Sequence, residues 1–196
     1  MKNNIKRALI LTMICTMGFS GLLMAQASYH LAQSPNVSIK VLGSSNVHDW
    51  VMTSTAIESE GTFDLNGHQL HAFTLQLAFT SLKSDHASMD DRTYKAVNAK
   101  KFPDISYKLT SAEVTPGGKG TYLIKTKGDL TIAGVTQPVS IDVTAVVNAD
   151  NTITCSGSKK IQLTDYGIKP PTFMLGAMKV YNDLTIQFNL IYKKYS

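Results

Sequence analysis

The chain has 196 residues, of which 43% are hydrophobic and 17% are charged, and its formal net charge is +5. A chain of this size suits a single domain, because domains commonly hold about 100–150 residues. Its basic residues form no stripe with interleaved aromatic side chains, which argues against nucleic acid as a partner.

The N-terminal segment has the pattern of an export signal. Three basic residues lie among the first seven, an uncharged apolar run follows over 8–24, and Ala25-Gln26-Ala27 resembles a cleavage site. The alternative is a membrane anchor, but the run is marginal for a bilayer, which needs about 20 residues. We therefore predict a cleaved signal peptide over 1–27 and a mature domain over 28–196 in the periplasm or outside the cell.

Cleavage changes the charge and the cysteine content of the chain. It removes 27 of 196 residues, three of them basic and none acidic, so 169 residues remain with a net charge of +2. Cys15 leaves with the signal, and Cys155 then has no partner for an internal disulfide. We interpret Cys155 as a small buried apolar residue, with a free reactive thiol as the alternative.

The mature sequence alternates between apolar and polar residues with a period of two, which predicts β-strands with one apolar face each. Aromatic and β-branched residues dominate these runs, as is typical of strands. The apolar members of the clearest runs are Phe73, Leu75, Leu77 and Phe79; Ile105, Tyr107 and Leu109; Val139, Ile141, Val143, Ala145 and Val147; and Leu184, Ile186, Phe188, Leu190 and Tyr192.

Short turn signals separate the runs, so neighbouring strands should be antiparallel. Asn66-Gly67 is the strongest hairpin signal, and Gly134 marks a turn that we expect Pro138 to close. Only Asp85 to Ala99 lacks the alternation; we predict a short helix there, capped by Ser84 or Asp85 and ended by Phe102-Pro103.

These elements predict an all-β fold, an antiparallel up-and-down barrel of about eight strands with one short helix. A closed barrel buries the apolar faces and removes exposed strand edges. About eight strands leave an interior wide enough for one small or narrow ligand.

Several sequence blocks resemble the YceI-like polyisoprenoid-binding family, whose members are lipocalin-like barrels of the bacterial periplasm. The blocks are Gly61-Thr62-Phe63, Asp91-Arg92, Phe102-Pro103-Asp104-Ile105-Ser106-Tyr107, Asp165-Tyr166-Gly167-Ile168-Lys169 and, most specifically, Gly128-Asp129-Leu130-Thr131-Ile132-Ala133-Gly134-Val135-Thr136-Gln137-Pro138-Val139. The first strand differs, since Ser44 to Trp50 stands where the family has a longer H-S-x-V-x-F-type strand. The resemblance implies an exported, non-enzymatic protein that holds an apolar chain, an isoprenoid or similar lipid such as a quinone tail.

The expected ligand-binding residues lie on the inward strand faces and on the late loop 169–178. A hydrocarbon chain offers no hydrogen bonds, so its binding comes from burial, worth about 0.8 kcal/mol gross per CH₂. The apolar residues of the loop either contact the ligand or plug one end of the core. The predicted set is Phe73, Leu75, Leu77, Ile105, Tyr107, Leu109, Val143, Phe173, Met174, Met178, Ile186 and Phe188.

No residue pattern predicts catalysis, a metal or a cofactor. The sequence has no G-x-S-x-G, P-loop or C-x-x-C motif. His48-Asp49-Trp50 fits a polar strand start beside a buried tryptophan better than a reactive group. His68 and His71 have metal-like spacing only on a helix, and on the strand predicted here residues three apart face opposite sides. His86 and Asp90 have the helical spacing of two ligands but no third metal ligand. We interpret Asp90-Asp91-Arg92 as a solvated first helical turn.

Two other functions stay open at this stage. One is an enzyme or stress-response factor on the same barrel, because fold alone does not fix function. The other is a small outer-membrane barrel, whose strands also alternate but face lipid with their apolar side. We favour a hydrophobic small molecule as the partner, without stable membrane insertion; a homodimer is compatible with the sequence.

The signal peptide generates a direct test. N-terminal sequencing of the exported protein should begin at Ser28, because Ala25-Gln26-Ala27 is the cleavage pattern. A membrane-bound product that still begins at Met1 would show that the segment is an anchor.

Overall fold

The computed structural model describes residues 27–64 and 68–195. The predicted signal peptide, apart from Ala27, and the Asn66-Gly67 hairpin signal lie outside the described residues. Within them, no helix has both the length and the hydropathy to cross a membrane.

The described residues form twelve strands and one α-helix, α1 (Ala87–Ala96). Short 3₁₀ turns lie at Phe79–Ser81, Leu163–Tyr166 and Met174–Gly176. The strands are β1 (Ala27–Leu31), β2 (Ser38–Ser44), β3 (Asp49–Ser54), β4 (Glu58–Asp64), β5 (Gln69–Ala78), β6 (Asp104–Gly118), β7 (Thr121–Ile132), β8 (Val135–Val147), β9 (Ile153–Gln162), β10 (Thr172–Phe173), β11 (Met178–Lys179) and β12 (Asp183–Lys194).

Eight strands close into an antiparallel barrel in the order β1-β4-β5-β6-β7-β8-β9-β12, with β12 returning to β1. The prediction of an all-β barrel with one short helix is confirmed. The run from β4 to β9 is up-and-down, but the β2–β3 hairpin departs from that pattern. Strand β12 is long enough for one edge to pair with β2 over 185–189 and with β1 over 192–194.

An aromatic cluster fills one end of the barrel, which we call the closed end. The Tyr29 and Phe63 rings meet edge to face at 5.2 Å, and Phe63 lies 5.9 Å from Tyr192. Tyr192 is fully buried, and its hydroxyl lies 2.8 Å from the Ser59 hydroxyl. Because burial raises the pKa of Tyr192, the hydroxyl stays neutral and hydrogen bonded.

Helix α1 covers the opposite end, and its start differs from our expectation. His86 is the N-cap and makes no side-chain cap hydrogen bond, so the predicted cap by Ser84 or Asp85 is wrong. Asp90 is buried rather than solvated. Its carboxylate accepts hydrogen bonds from the Ser84 amide at 2.8 Å and the Ser84 hydroxyl at 2.7 Å, with the Lys83 ammonium at 3.8 Å. The preceding loop folds over the first helical turn and removes the carboxylate from water.

The family-like blocks pack against one another on β6, β7 and β8. Ala133 and Gly134 both have positive φ, as the two-residue turn between β7 and β8 requires, and a Cβ on Gly134 would lie 2.4 Å from the Phe102 ring. We expected Pro138 to close this turn, but it lies inside β8.

Gly128 generates a stability prediction, because a Cβ there would lie 2.5 Å from the Tyr107 side chain and 2.6 Å from the Lys108 carbonyl oxygen. Gly128→Ala should lower the free energy of unfolding by about 1–3 kcal/mol, as overpacking does. Gly117→Ala is the control, since its Cβ would meet nothing closer than 3.4 Å. Equal urea midpoints for the two variants would contradict the prediction.

Candidate functional site

The lower cavity, of about 120 Å³, lies next to the closed end, and its wall is almost entirely apolar. Inward faces of strands from around the barrel form this wall. The strand-borne members of the predicted set line it: Phe73, Leu75, Leu77, Ile105, Tyr107, Leu109, Val143, Ile186 and Phe188. Burial and alternation thus bring together the residues that the sequence placed on one face of each strand.

Two hydroxyl groups inside the lower cavity already have partners. The Tyr107 hydroxyl donates to Thr126 Oγ1 at 3.1 Å, and the Thr126 hydroxyl donates to the Ile141 carbonyl at 3.0 Å. Burial raises the pKa of Tyr107, so its hydroxyl stays protonated at neutral pH. These groups are satisfied by the protein and do not need a polar ligand.

The upper cavity, of about 280 Å³, lies between the lower cavity and helix α1. Val41, Leu82, Ile105 and Ile186 line both cavities, so the two spaces adjoin along the barrel. Arg92, His48 and His86 supply polar groups at the outer rim. Together the two cavities can accept an elongated apolar molecule with its outer end near polar side chains.

The Trp50 ring forms part of the upper wall. It packs over Gly43, where any Cβ would lie 2.1 Å from the ring. Its Nε1 is buried and has no hydrogen-bond partner among the described residues. His48 lies in the turn before it, with Nδ1 2.8 Å from the Asp49 carbonyl. The tripeptide His48-Asp49-Trp50 is therefore a turn and strand start whose tryptophan is half-buried, rather than fully buried as the sequence predicted.

The late loop closes the upper cavity through contacts with the β2–β3 turn. The Asn46 side chain accepts a hydrogen bond from the Lys179 amide at 2.7 Å and donates to the Ala177 carbonyl at 2.9 Å. Phe173 and Met178 line the upper cavity, and the Arg92 guanidinium lies 4.9 Å from the centre of the Phe173 ring. These two loop residues therefore lie where they could either plug the end of the core or contact a ligand, as the two interpretations of the sequence predict.

Met174 is the one predicted ligand-binding residue that lines neither cavity. It is 72% exposed, and its neighbour Leu175 is fully exposed. Both have positive φ, so the backbone turns outward there and directs their side chains away from the barrel. A ligand contact at Met174 finds no support in this geometry.

The sequence missed several lining residues on β9. Cys155 and Lys159 both line the lower cavity, and Gly157 lies between them on the same face. The run from Ile153 to Gln162 is rich in small and polar residues, so its alternation is weak. The one available signal was the spacing of Ile153, Cys155 and Ile161, all of which are buried.

The histidine pairs do not form metal sites in the described part of the chain. Asp90, the candidate partner of His86, is bonded to Ser84. His68 lies 5.6 Å from the Tyr122 ring, and His71 is exposed on β5. Residues 27–64 and 68–195 contain no group of three or more His, Cys, Asp or Glu side chains placed to hold a metal.

Comparison with known proteins identifies the family. The YceI-like domain model matches residues 32–192. The chain belongs to the YceI-like family. A UPF0312 protein of Pseudomonas putida is 29% identical over 167 residues, which cover 80% of this chain and 79% of that protein.

Solved structures share the YceI-like fold. Burkholderia cenocepacia BcnA superposes with a TM-score of 0.66 at 18% identity, covering 82% of this chain and 98% of BcnA. A polyisoprenoid binding domain from Saccharophagus degradans superposes with a TM-score of 0.66 at 12% identity, covering 87% of this chain and all of that domain. At these identities the likeness establishes the fold.

The Cys155 thiol of this YceI-like barrel reports on the lower cavity. Burial raises its pKa to about 12, and thiol reactivity follows the thiolate fraction. At neutral pH, alkylation of folded protein should be roughly a thousandfold slower than that of an ordinary thiol with a pKa of about 8.5, and it should accelerate as the pH rises toward 12.

Iodoacetamide labelling, followed by mass spectrometry of the Cys155 peptide, measures this rate. Protein unfolded in urea is the control and should label at the ordinary rate. Equal labelling of folded and unfolded protein at neutral pH would show that the thiol is not held in an apolar wall.

Proposed function

We propose that this protein is an exported, non-enzymatic binding protein that holds an apolar chain, an isoprenoid or similar lipid, inside the barrel. The observation that carries the proposal is the pair of adjoining cavities walled by inward apolar strand faces. Such a wall binds by removing hydrocarbon from water and asks for no particular polar partner.

The energetics favour a long hydrocarbon ligand. Each buried CH₂ contributes about 0.8 kcal/mol gross, while association costs several kcal/mol in lost freedom. A short apolar molecule therefore gains little beyond that cost, whereas a chain that continues from the lower into the upper cavity gains with every added carbon. The domain of Saccharophagus degradans that shares this fold is a polyisoprenoid binding domain, and this supports a long hydrocarbon chain as the ligand class.

The interior favours binding over catalysis. The Tyr107 and Thr126 hydroxyls in the lower cavity are bonded to each other and to the backbone, so neither is poised to act on a ligand. The direction of the strand faces also favours a binding protein over an outer-membrane barrel. Leu77, Ile124 and Leu130 are buried inside, whereas Lys108, Lys125 and Lys127 are exposed outside.

Filling the lower cavity tests the proposal. Val143→Phe replaces a small aliphatic side chain in the cavity wall by an aromatic ring. The affinity for a fluorescent polyprenyl probe should therefore fall at least about tenfold, which equals a loss of about 1.4 kcal/mol in binding free energy. Stability should stay close to that of the natural protein, because the cavity absorbs the added volume. Probe titration and thermal unfolding measure the two effects.

Two further variants control for the substitution itself. Val51→Phe makes the same change at an outward position that is 42% exposed, and it should leave uptake unchanged. Ala145 is buried beside a void of only about 20 Å³, so Ala145→Phe should destabilise the fold by about 1–3 kcal/mol. Undiminished uptake in Val143→Phe would place the ligand outside the lower cavity.

A further inference from the structure

A lysine lies on the inner face of the barrel, where the other lining residues are almost all apolar. Lys159 lines the lower cavity from β9, on the same face as the buried Cys155 and Ile161. In the sheet register it lies opposite Ile186 of β12, which lines both cavities. Lys159 therefore lies at the level where the lower and upper cavities adjoin.

A gap in the barrel wall runs alongside Lys159. The pairing of β8 with β9 extends from Val147↔Ile153 only to Val143↔Gly157. Beyond that pair, β8 continues along β7 to Val135, and β9 continues along β12 to Gln162. The two strands thus diverge on one side of Gly157, and residues 158–162 of β9 face residues 135–142 of β8 without a ladder.

Three features define this gap. At its far end the Gln137 side chain donates to the Asp165 carbonyl at 2.7 Å and ties the two sides together. Pro138 lies along the gap in β8, where a residue without an N–H is tolerated because the edge is unpaired. Val139 and Ile141 are only half-buried on their inward face, in keeping with an opening beside them.

The Lys159 ammonium has no hydrogen bond and no ion pair with any described residue. Asp142 is the acidic residue of β8 at the gap, and it is exposed on the outer face. Lys159 itself is half-buried in the cavity wall, and a lysine in such a position covers apolar surface with its stem while its ammonium stays in contact with water. The gap beside it offers a path for that contact. An unpaired cation thus marks the boundary between the apolar interior and water.

We propose that Lys159 binds the anionic head group, a carboxylate or a phosphate, of an amphiphile whose apolar chain fills the cavities. The inference rests on the proposed function and adds a head-group site at the gap between β8 and β9. A charge-assisted hydrogen bond to an anion is roughly twice as strong as a neutral one, so this site discriminates between amphiphiles with equal tails.

Amphiphiles that differ only in the head group test the site. Hexadecanoate, hexadecyl phosphate and hexadecanol compete with a fluorescent polyprenyl probe for the natural protein and for Lys159→Met. The natural protein should prefer at least one anion over the alcohol by about tenfold, and added salt should weaken the preference. In Lys159→Met the preference should fall to about twofold or less, while hexadecanol binds as well as before.

Three variants sharpen the test. Lys160→Met removes the same charge from the next residue, which is exposed on the outer face of β9, and should keep the preference. Lys159→Arg keeps the positive charge and should therefore also keep the preference for an anionic head group. Arg92→Gln removes the cation at the rim of the upper cavity and tests whether the head group binds at that end of the barrel. This variant should keep the preference if Lys159 binds the head group.

The outcomes separate this inference from the proposed function. An equal preference in Lys159→Met and the natural protein, or its loss in Arg92→Gln or Lys160→Met alone, would overturn the Lys159 site while apolar-chain binding stands. The absence of any preference in the natural protein would do the same. Failure of the natural protein to bind the polyprenyl probe and hexadecanol would overturn both.

Discussion

Strand β12 provides the hydrogen bonding on which barrel closure depends. One edge pairs with β9 over ten residues, from Asp183↔Gln162 to Tyr192↔Ile153. The other edge is divided between β2 and β1. Closure satisfies the backbone groups that would otherwise form exposed edges, and it fixes which side chains face inward. The lining of the lower cavity, which consists mostly of strand residues, follows from that register.

The barrel interior changes character along its length. Tyr29, Phe63 and Tyr192 fill the closed end by ring packing, and the Tyr192 hydroxyl is satisfied by Ser59. Beyond them the inward side chains no longer meet, and the lower cavity opens. The upper cavity follows beneath helix α1 and the late loop, whose position depends on the contacts of Asn46. The packed base and the covered upper end thus enclose an apolar space between them.

The gap between β8 and β9, where the pairing of the two strands ends, affects both the edge of the sheet and the environment of Lys159. An unpaired edge invites pairing with another chain, and Pro138 together with an inward charge at Lys159 discourages that pairing. The same divergence gives the ammonium access to water, which lowers the cost of a charge beside an apolar wall. Protection of the edge and recognition of a head group are compatible roles for one side chain.

The sequence by itself determined the all-β class, the short helix and the inward faces of β5, β6, β8 and β12. The reason is that side chains of a strand alternate strictly, so a run such as Ile105, Tyr107 and Leu109 must share one face. The sequence blocks also predicted the family by their resemblance to its motifs. In the structure, Gly128 and Gly134 of these blocks lie close to Tyr107 and Phe102, where a Cβ would clash.

Only the tertiary structure decided depth, register and enclosure. Alternation places Ala145 and Val143 on one face but does not tell that Ala145 lies at the packed end and Val143 at the lower cavity. The adjacent lysines of β9 look alike in sequence; pairing with β12 turns Lys159 inward and Lys160 outward. Met174 faces solvent because the loop backbone turns there. These properties depend on contacts between distant segments, which a local pattern does not contain.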